Sequence, residues 1–167
     1  MIDRSLMLSL FEYKAWADAA LFGAIAEIGE RETQPKAMEA RRILHHVHLV
    51  DRIFAAHLRR RDHGLTANWM TDTPPLAKMR AEAAEVDRWF VDYVRHASAD
   101  AVAEMIDFRF TDGAPGRMSG AEMLAHVITH GGYHRGQVGI LLPEVSRAAH
   151  GDVFAGYLHG AEPARRA

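Results

Sequence analysis

Four stretches of this chain, each longer than twenty residues, repeat apolar side chains every three to four positions, a period that fits amphipathic helices and excludes half-buried strands. From Asp3 to about Ile28 the stripe is Leu6, Leu10, Tyr13, Ala17, Leu21, Ala24 and Ile28. Gly29 and Pro35 interrupt it, and a second helix is expected from about Lys36 to Arg61 with Ile43, Val47, Val50, Phe54 and Leu58 inward. Gly64 and the Pro74–Pro75 pair bound a loop before a third, about Leu76 to Ala97, whose inward residues are Leu76, Met79, Ala83, Val86, Phe90 and Val94. Between Glu104 and Met118 the period drops to two: Ile106, Phe108 and Phe110 alternate with polar residues, and Asp112-Gly113 and Pro115-Gly116 mark turns, which predicts a small β-hairpin. Ser119 followed three residues on by Glu122 is a capping box for a fourth helix, about Gly120 to Leu142, with Pro143 helping to stop it. A short helical turn around Asp152 to Leu158 and a polar tail follow. The expected fold is all-α, a four-helix bundle with a small β-hairpin insertion before the fourth helix.

With 167 residues and 49% hydrophobic content the chain can bury one core, so a single domain over 1–167 is expected. The net charge of −2 and the scattered Lys and Arg residues exclude a nucleic-acid footprint. Arg59 to Arg61 is the one basic run, and it falls where a helix should end, complementing the helix dipole. No stretch has the roughly 18 uninterrupted apolar residues of a membrane span, and the opening MIDRSLMLSLF lacks the pattern of a secretory signal, so a cytoplasmic location is expected. The chain has no cysteine, so sulfur chemistry would need a thiol carried by a substrate.

The fourth helix carries HVITHGGYHRGQ, with His126, His130 and His134 four residues apart. Neighbours in that series stand one turn apart and can share an ion, whereas His126 and His134, about 12 Å apart along the axis, cannot. The zinc-protease pattern needs a Glu after the first His, and Val127 and Gly131 stand there instead. On a helical wheel His130 and His134 lie near the apolar centre and His126 toward its margin, which favours the pair His130 and His134. Gly131 and Gly132 are expected to relieve crowding around them. A third ligand should come from His45, His46 or His48 on the second helix; the wheel puts His46 on the flank of the buried face and points His45 and His48 outward. His57 shares the side of His46 but lies roughly 16 Å further along, too far for the same ion. Asp51 borders the buried face and reads as an ion-pair or hydrogen-bonding residue. Trp16, Trp69 and Trp89 read as core or interface residues. Histidines on an apolar face are also ordinary hydrogen-bonded core residues, and spacing alone leaves both readings open.

The segments LHHVHLVDRIF and TDGAPGRMSGAEMLAHVITHGGYHRGQVGILL, with YKAWAD in the first helix and DVFAGYL near the end, resemble the DinB family over nearly the whole chain. The resemblance implies an up-down-down-up bundle and a divalent metal, nickel or zinc most often, held by three histidines. Its ligands map to the His five residues before Asp51, which is His46, and to His130 and His134. His126 would then sit behind the ligands or serve structure. Relatives include thiol-dependent isomerases and S-transferases that use mycothiol or bacillithiol, and many members have no assigned reaction. The expected function is therefore a metal-dependent S-transferase, isomerase or hydrolase that activates a low-molecular-weight thiol or water toward a small-molecule substrate, and the resemblance allows a homodimer. The alternative is a non-catalytic, stress-associated metal-binding structural protein. Gln137 is the best-placed residue to orient a ligand, while Arg135 is expected to face outward or make a salt bridge. No general base can be singled out.

Overall fold

The computed structural model describes residues 3–29, 34–149 and 152–166. Four long helices, α1 (Arg4–Ala26), α2 (Pro35–Leu58), α3 (Leu76–His96) and α5 (Gly120–Leu141), make the bundle. A short α4 (Ala99–Ala103) and the hairpin β1 (Met105–Arg109) and β2 (Pro115–Ser119) precede α5, and α6 (Pro143–Ala148), α7 (Phe154–Ala161) and a 3-10 turn at Pro163–Arg166 follow it. Pro143 therefore does more than stop α5: lacking an N–H, it occupies the first turn of α6, where none is needed. The Ser119–Glu122 capping box is present with both of its hydrogen bonds. No helix among the described residues is long and apolar enough to cross a membrane.

The core is two apolar clusters separated by a layer of buried charge. In the first, Met7, Phe11, Phe54, Phe90, Val94, Met123, Leu124 and Val127 pack with Ile106 and Phe108 of the hairpin. The second joins Leu21, Phe22, Ile25, Ala40, Ile43, Leu44, Met79, Ala83 and Val138 to Leu142 and Val145. Going up the chain, α1 and α5 pass from the first cluster to the second, while α2 and α3 pass from the second to the first. That is the up-down-down-up order. Parallel α2 and α3 need a return connection, and residues 59–75 supply it. Arg60, at φ 55°, turns the chain, and hydrogen bonds from Arg42 to the Thr71 carbonyl (3.0 Å) and from Arg41 to the Pro74 carbonyl (3.1 Å) lay the loop back along α2. The basic run does close α2: Arg59 stacks over Trp89, 4.1 Å from the ring centroid, and Arg60 pairs with Glu104 at 2.7 Å.

Each helix contributes a polar residue to the layer between the clusters. Lys14 of α1 places Nζ 2.7 Å from Asp18, 2.7 Å from Asp51 of α2 and 2.6 Å from Asp87 of α3. Arg135 of α5 bonds Asp18 at 3.0 Å and Asp152 at 2.7 Å. Tyr13 donates to Asp152 from the same side. Asp51 is the ion-pair residue its position predicted. Arg135 also makes salt bridges, but it is buried rather than outward. Of the stripe expected on α1, Ala17, Leu21 and Ile28 are buried, but the inward face also takes in Met7, Phe11, Lys14, Asp18, Phe22 and Ile25, and Leu6 is 51% exposed. Lys14 and Asp18 look like solvent residues in the sequence, so an apolar wheel rotates the helix away from its true buried face.

Candidate metal centre

Three imidazoles converge where α2 meets α5. His46 comes from the flank of α2, and His130 and His134 stand one turn apart on α5, as an i, i+4 pair must. Their ring centroids are 4.9 Å (His46–His130), 4.8 Å (His46–His134) and 4.4 Å (His130–His134) apart. Nε2 of His46 and Nε2 of His130 are separated by 3.1 Å, and one nitrogen from each of the three lies within 4.8 Å of the others. With metal–nitrogen bonds near 2.0–2.1 Å, a tetrahedral centre places ligand nitrogens about 3.3 Å apart, so the donor set fits a divalent ion.

Neighbouring groups fix which nitrogen faces inward. The backbone carbonyl of Asn68, on the returning loop, can only accept, so His46 Nδ1 at 2.5 Å donates to it and Nε2 keeps its lone pair. His134 does the same with Gln137 Oε1 at 2.7 Å, and Gln137 in turn donates to the Tyr133 hydroxyl at 3.3 Å. Gln137 thus holds the His134 ring in place. Burial, with the neighbouring His134 and His46, pushes His130 down to about 3, and burial also lowers His46. Both are neutral near pH 7, as metal ligands have to be. His130 Nδ1 is buried without a partner.

Several neighbours stand elsewhere than the sequence suggested. His45 and His48 do not point outward: both are buried, and His48 lies 3.6 Å from Glu82. The reason is that α2 is covered on almost every side, by α3, α5, the return loop and the hairpin. Trp69 is not a core residue; it is 44% exposed and its ring lies 4.9 Å from that of His46. Trp16 packs against Tyr13 and Tyr157, and Trp89 against Phe90. His126 is outside the group of three and packs between Phe54 (4.5 Å) and His130 (5.2 Å). Gly131 serves a different purpose from the one expected. A Cβ there would sit 3.0 Å from Arg135 Nη1 and 3.5 Å from Lys14 Cε, so it makes room for the charged layer and not for the ligands. That layer was itself missed, although lysine and aspartate at i, i+4 in α1 were a signal for it.

Asp18, Asp51 and Asp87 also lie close enough together to hold an ion. Lys14 Nζ already occupies their centre, so the trio acts as the counter-charge of an ammonium group.

Next to the histidines is a cavity of about 430 Å³ lined by His46, Val50, Phe54, His57, Phe108 and His130 among others. Its size is that of a small-molecule site, and its walls are mostly apolar.

A helical bundle with three imidazoles converging beside a cavity could hold a metal ion. The family model for DinB matches residues 1–165, and the chain belongs to the DinB family. Comparison with curated proteins and with solved structures gave no match.

Proposed function

We propose that this protein is a divalent-metal-dependent enzyme, a transferase, isomerase or hydrolase acting on a small molecule, in which His46, His130 and His134 hold the ion. The observation that carries the reading is the convergence of three imidazoles, two of them aimed by the Asn68 carbonyl and Gln137, at the edge of a cavity. Bound there, an ion such as nickel or zinc supplies Lewis acidity that lowers the pKa of a water or of a low-molecular-weight thiol toward neutrality. Because the chain has no cysteine, a thiol would arrive as cosubstrate. Phe54 and Phe108 line the cavity beside the ligands, and His126 packs between Phe54 and His130.

The competing reading, a structural metal that staples the bundle, needs helices that lack other means of cohesion. Two apolar clusters and a buried ionic layer already join all four, which supports catalysis over stapling. Elemental analysis by mass spectrometry on untagged protein tests the ligand set. Wild type and His45→Ala should carry about one equivalent of a transition metal, and His46→Ala and His134→Ala almost none, since each removes a third of the donors. Full loading of His46→Ala would overturn the assignment.

A further inference from the structure

The cavity beside the three histidines has a built aromatic wall and a far end. At the near end are His46 and His130; at the other is His57, eleven residues along α2 from His46 and so roughly 16 Å away along the axis. Phe54 and Phe108 stand between, their ring centroids 6.2 Å apart, and Phe108 meets Phe110 edge-on at 4.9 Å. The hairpin is shaped to present these two rings. Gly116 pairs with Phe108 in the β1–β2 register, and a Cβ on it would lie 2.5 Å from the Phe108 ring and 2.9 Å from that of Phe110. Only a residue without a side chain lets both rings fold across β2, and Phe110 remains 48% exposed at the rim.

At the far end of the wall, apolar packing does not account for His57. It is 8% exposed, its ring lies 4.7 Å from that of Phe108, and its Nε2 is buried with no hydrogen-bond partner. An unpaired buried nitrogen is costly unless something satisfies it. The His57 ring lines this cavity and also a second one shared with Arg60 and His63, so a turn of the ring would be needed to bring Nε2 to a group in the first.

We propose that the cavity receives an elongated, mainly apolar substrate, with an aryl or alkyl body packed against the Phe54 and Phe108 rings and a hydrogen-bonding group at its far end that pairs with the His57 imidazole as its ring turns to meet it. Its reactive head then lies at the three histidines, a placement that rests on the metal reading above. The apolar body supplies affinity through burial, and His57 selects among apolar molecules by what they carry at the distal end.

Three probes separate the two claims. Acetohydroxamate, a metal-binding head alone, and 4′-hydroxybiphenyl-4-carbohydroxamate, the same head with a long apolar body and a terminal hydroxyl, are titrated calorimetrically into zinc-loaded protein. The metal-free protein is titrated with 4-phenylphenol. The long hydroxamate should bind at least about a hundredfold more tightly than acetohydroxamate, and 4-phenylphenol should bind without metal. His57→Phe should weaken the long hydroxamate and 4-phenylphenol about tenfold, the size of one hydrogen bond, and leave acetohydroxamate unchanged. His57→Gln, which keeps a hydrogen-bonding side chain, should retain most of the affinity and guards against a folding defect in the first variant. Equal binding of long and short hydroxamates with no binding of 4-phenylphenol overturns the substrate proposal and leaves the metal centre standing. Binding of 4-phenylphenol by a protein that takes up no zinc overturns the metal centre and supports the cavity.

Discussion

Gly131 and Gly136 lie on the same helix and differ in what surrounds them. A methyl group at Gly131 would press on Arg135 Nη1, which is held at 3.0 Å by Asp18 and has little room to yield. At Gly136 a Cβ meets nothing within 4 Å. Gly131→Ala should therefore cost about 1–2 kcal/mol despite the better helix propensity of alanine, whereas Gly136→Ala should gain up to about 1 kcal/mol. Chemical denaturation of the two variants beside the wild type measures both, and stabilisation by Gly131→Ala would contradict the crowding. His130 and His134 were legible in the sequence because one helical turn is a local relation that spacing fully expresses. His45 and His48 were not. A wheel assumes that a helix has one buried and one exposed side, and α2 has no broad exposed side on which to place them.

At the scale of elements, the charged layer is a joint between helices. Lys14 ties α1 to α2 and α3, and Arg135 ties α5 to α1 and to the segment before α7. Burying these groups is expensive, and only the completeness of the pairing offsets it. Lys14→Met would leave Asp51 and Asp87 without their cation, and should lower unfolding free energy by about 3–5 kcal/mol, far more than the loss of an exposed ion pair such as Arg95 with Glu12. Urea unfolding of Lys14→Met and Arg95→Met checks the contrast, and equal small losses would show that the joint adds no cohesion. The order and ends of the long helices followed from apolar period and capping signals, down to the Ser119–Glu122 box. The rotation of α1 did not follow, because its buried face is charged and its pairing partners lie on helices distant in sequence. The short α4 and α6 gave no periodic signal at five and six residues.

For the whole molecule, pH acts through groups that the fold holds in one protonation state. Burial lowers six histidines, His45, His46, His48, His57, His126 and His130, with His48 and His57 brought down to about 4 from 6.5. A histidine depressed on folding contributes stability that is complete above pH 6.5 and is lost as pH falls toward 4, because the unfolded chain takes up protons that the folded one refuses. Asp51 runs the other way: burial raises it to about 6 from 3.8, so its contribution is complete below 3.8 and fades as pH rises through 6. Burial also raises Asp87. The histidines outnumber the aspartates, so the melting temperature of metal-free protein should fall between pH 6.5 and 4. The fall should be shallower in His57→Phe, which removes one of the groups responsible. Differential scanning calorimetry across that range provides the check, and an identical slope in the variant would exclude His57 from the titration.

The ionic layer has one further consequence, for electroneutrality. Lys14 and Arg135 face four carboxylates, those of Asp18, Asp51, Asp87 and Asp152. Fully ionised, the layer carries a surplus of two negative charges, and it reaches the ligand helix at Gly131 and Arg135, each next in sequence to a histidine of the group. A doubly charged ion at the histidines would draw on that surplus and favour the ionised forms of Asp51 and Asp87, both of which burial raises.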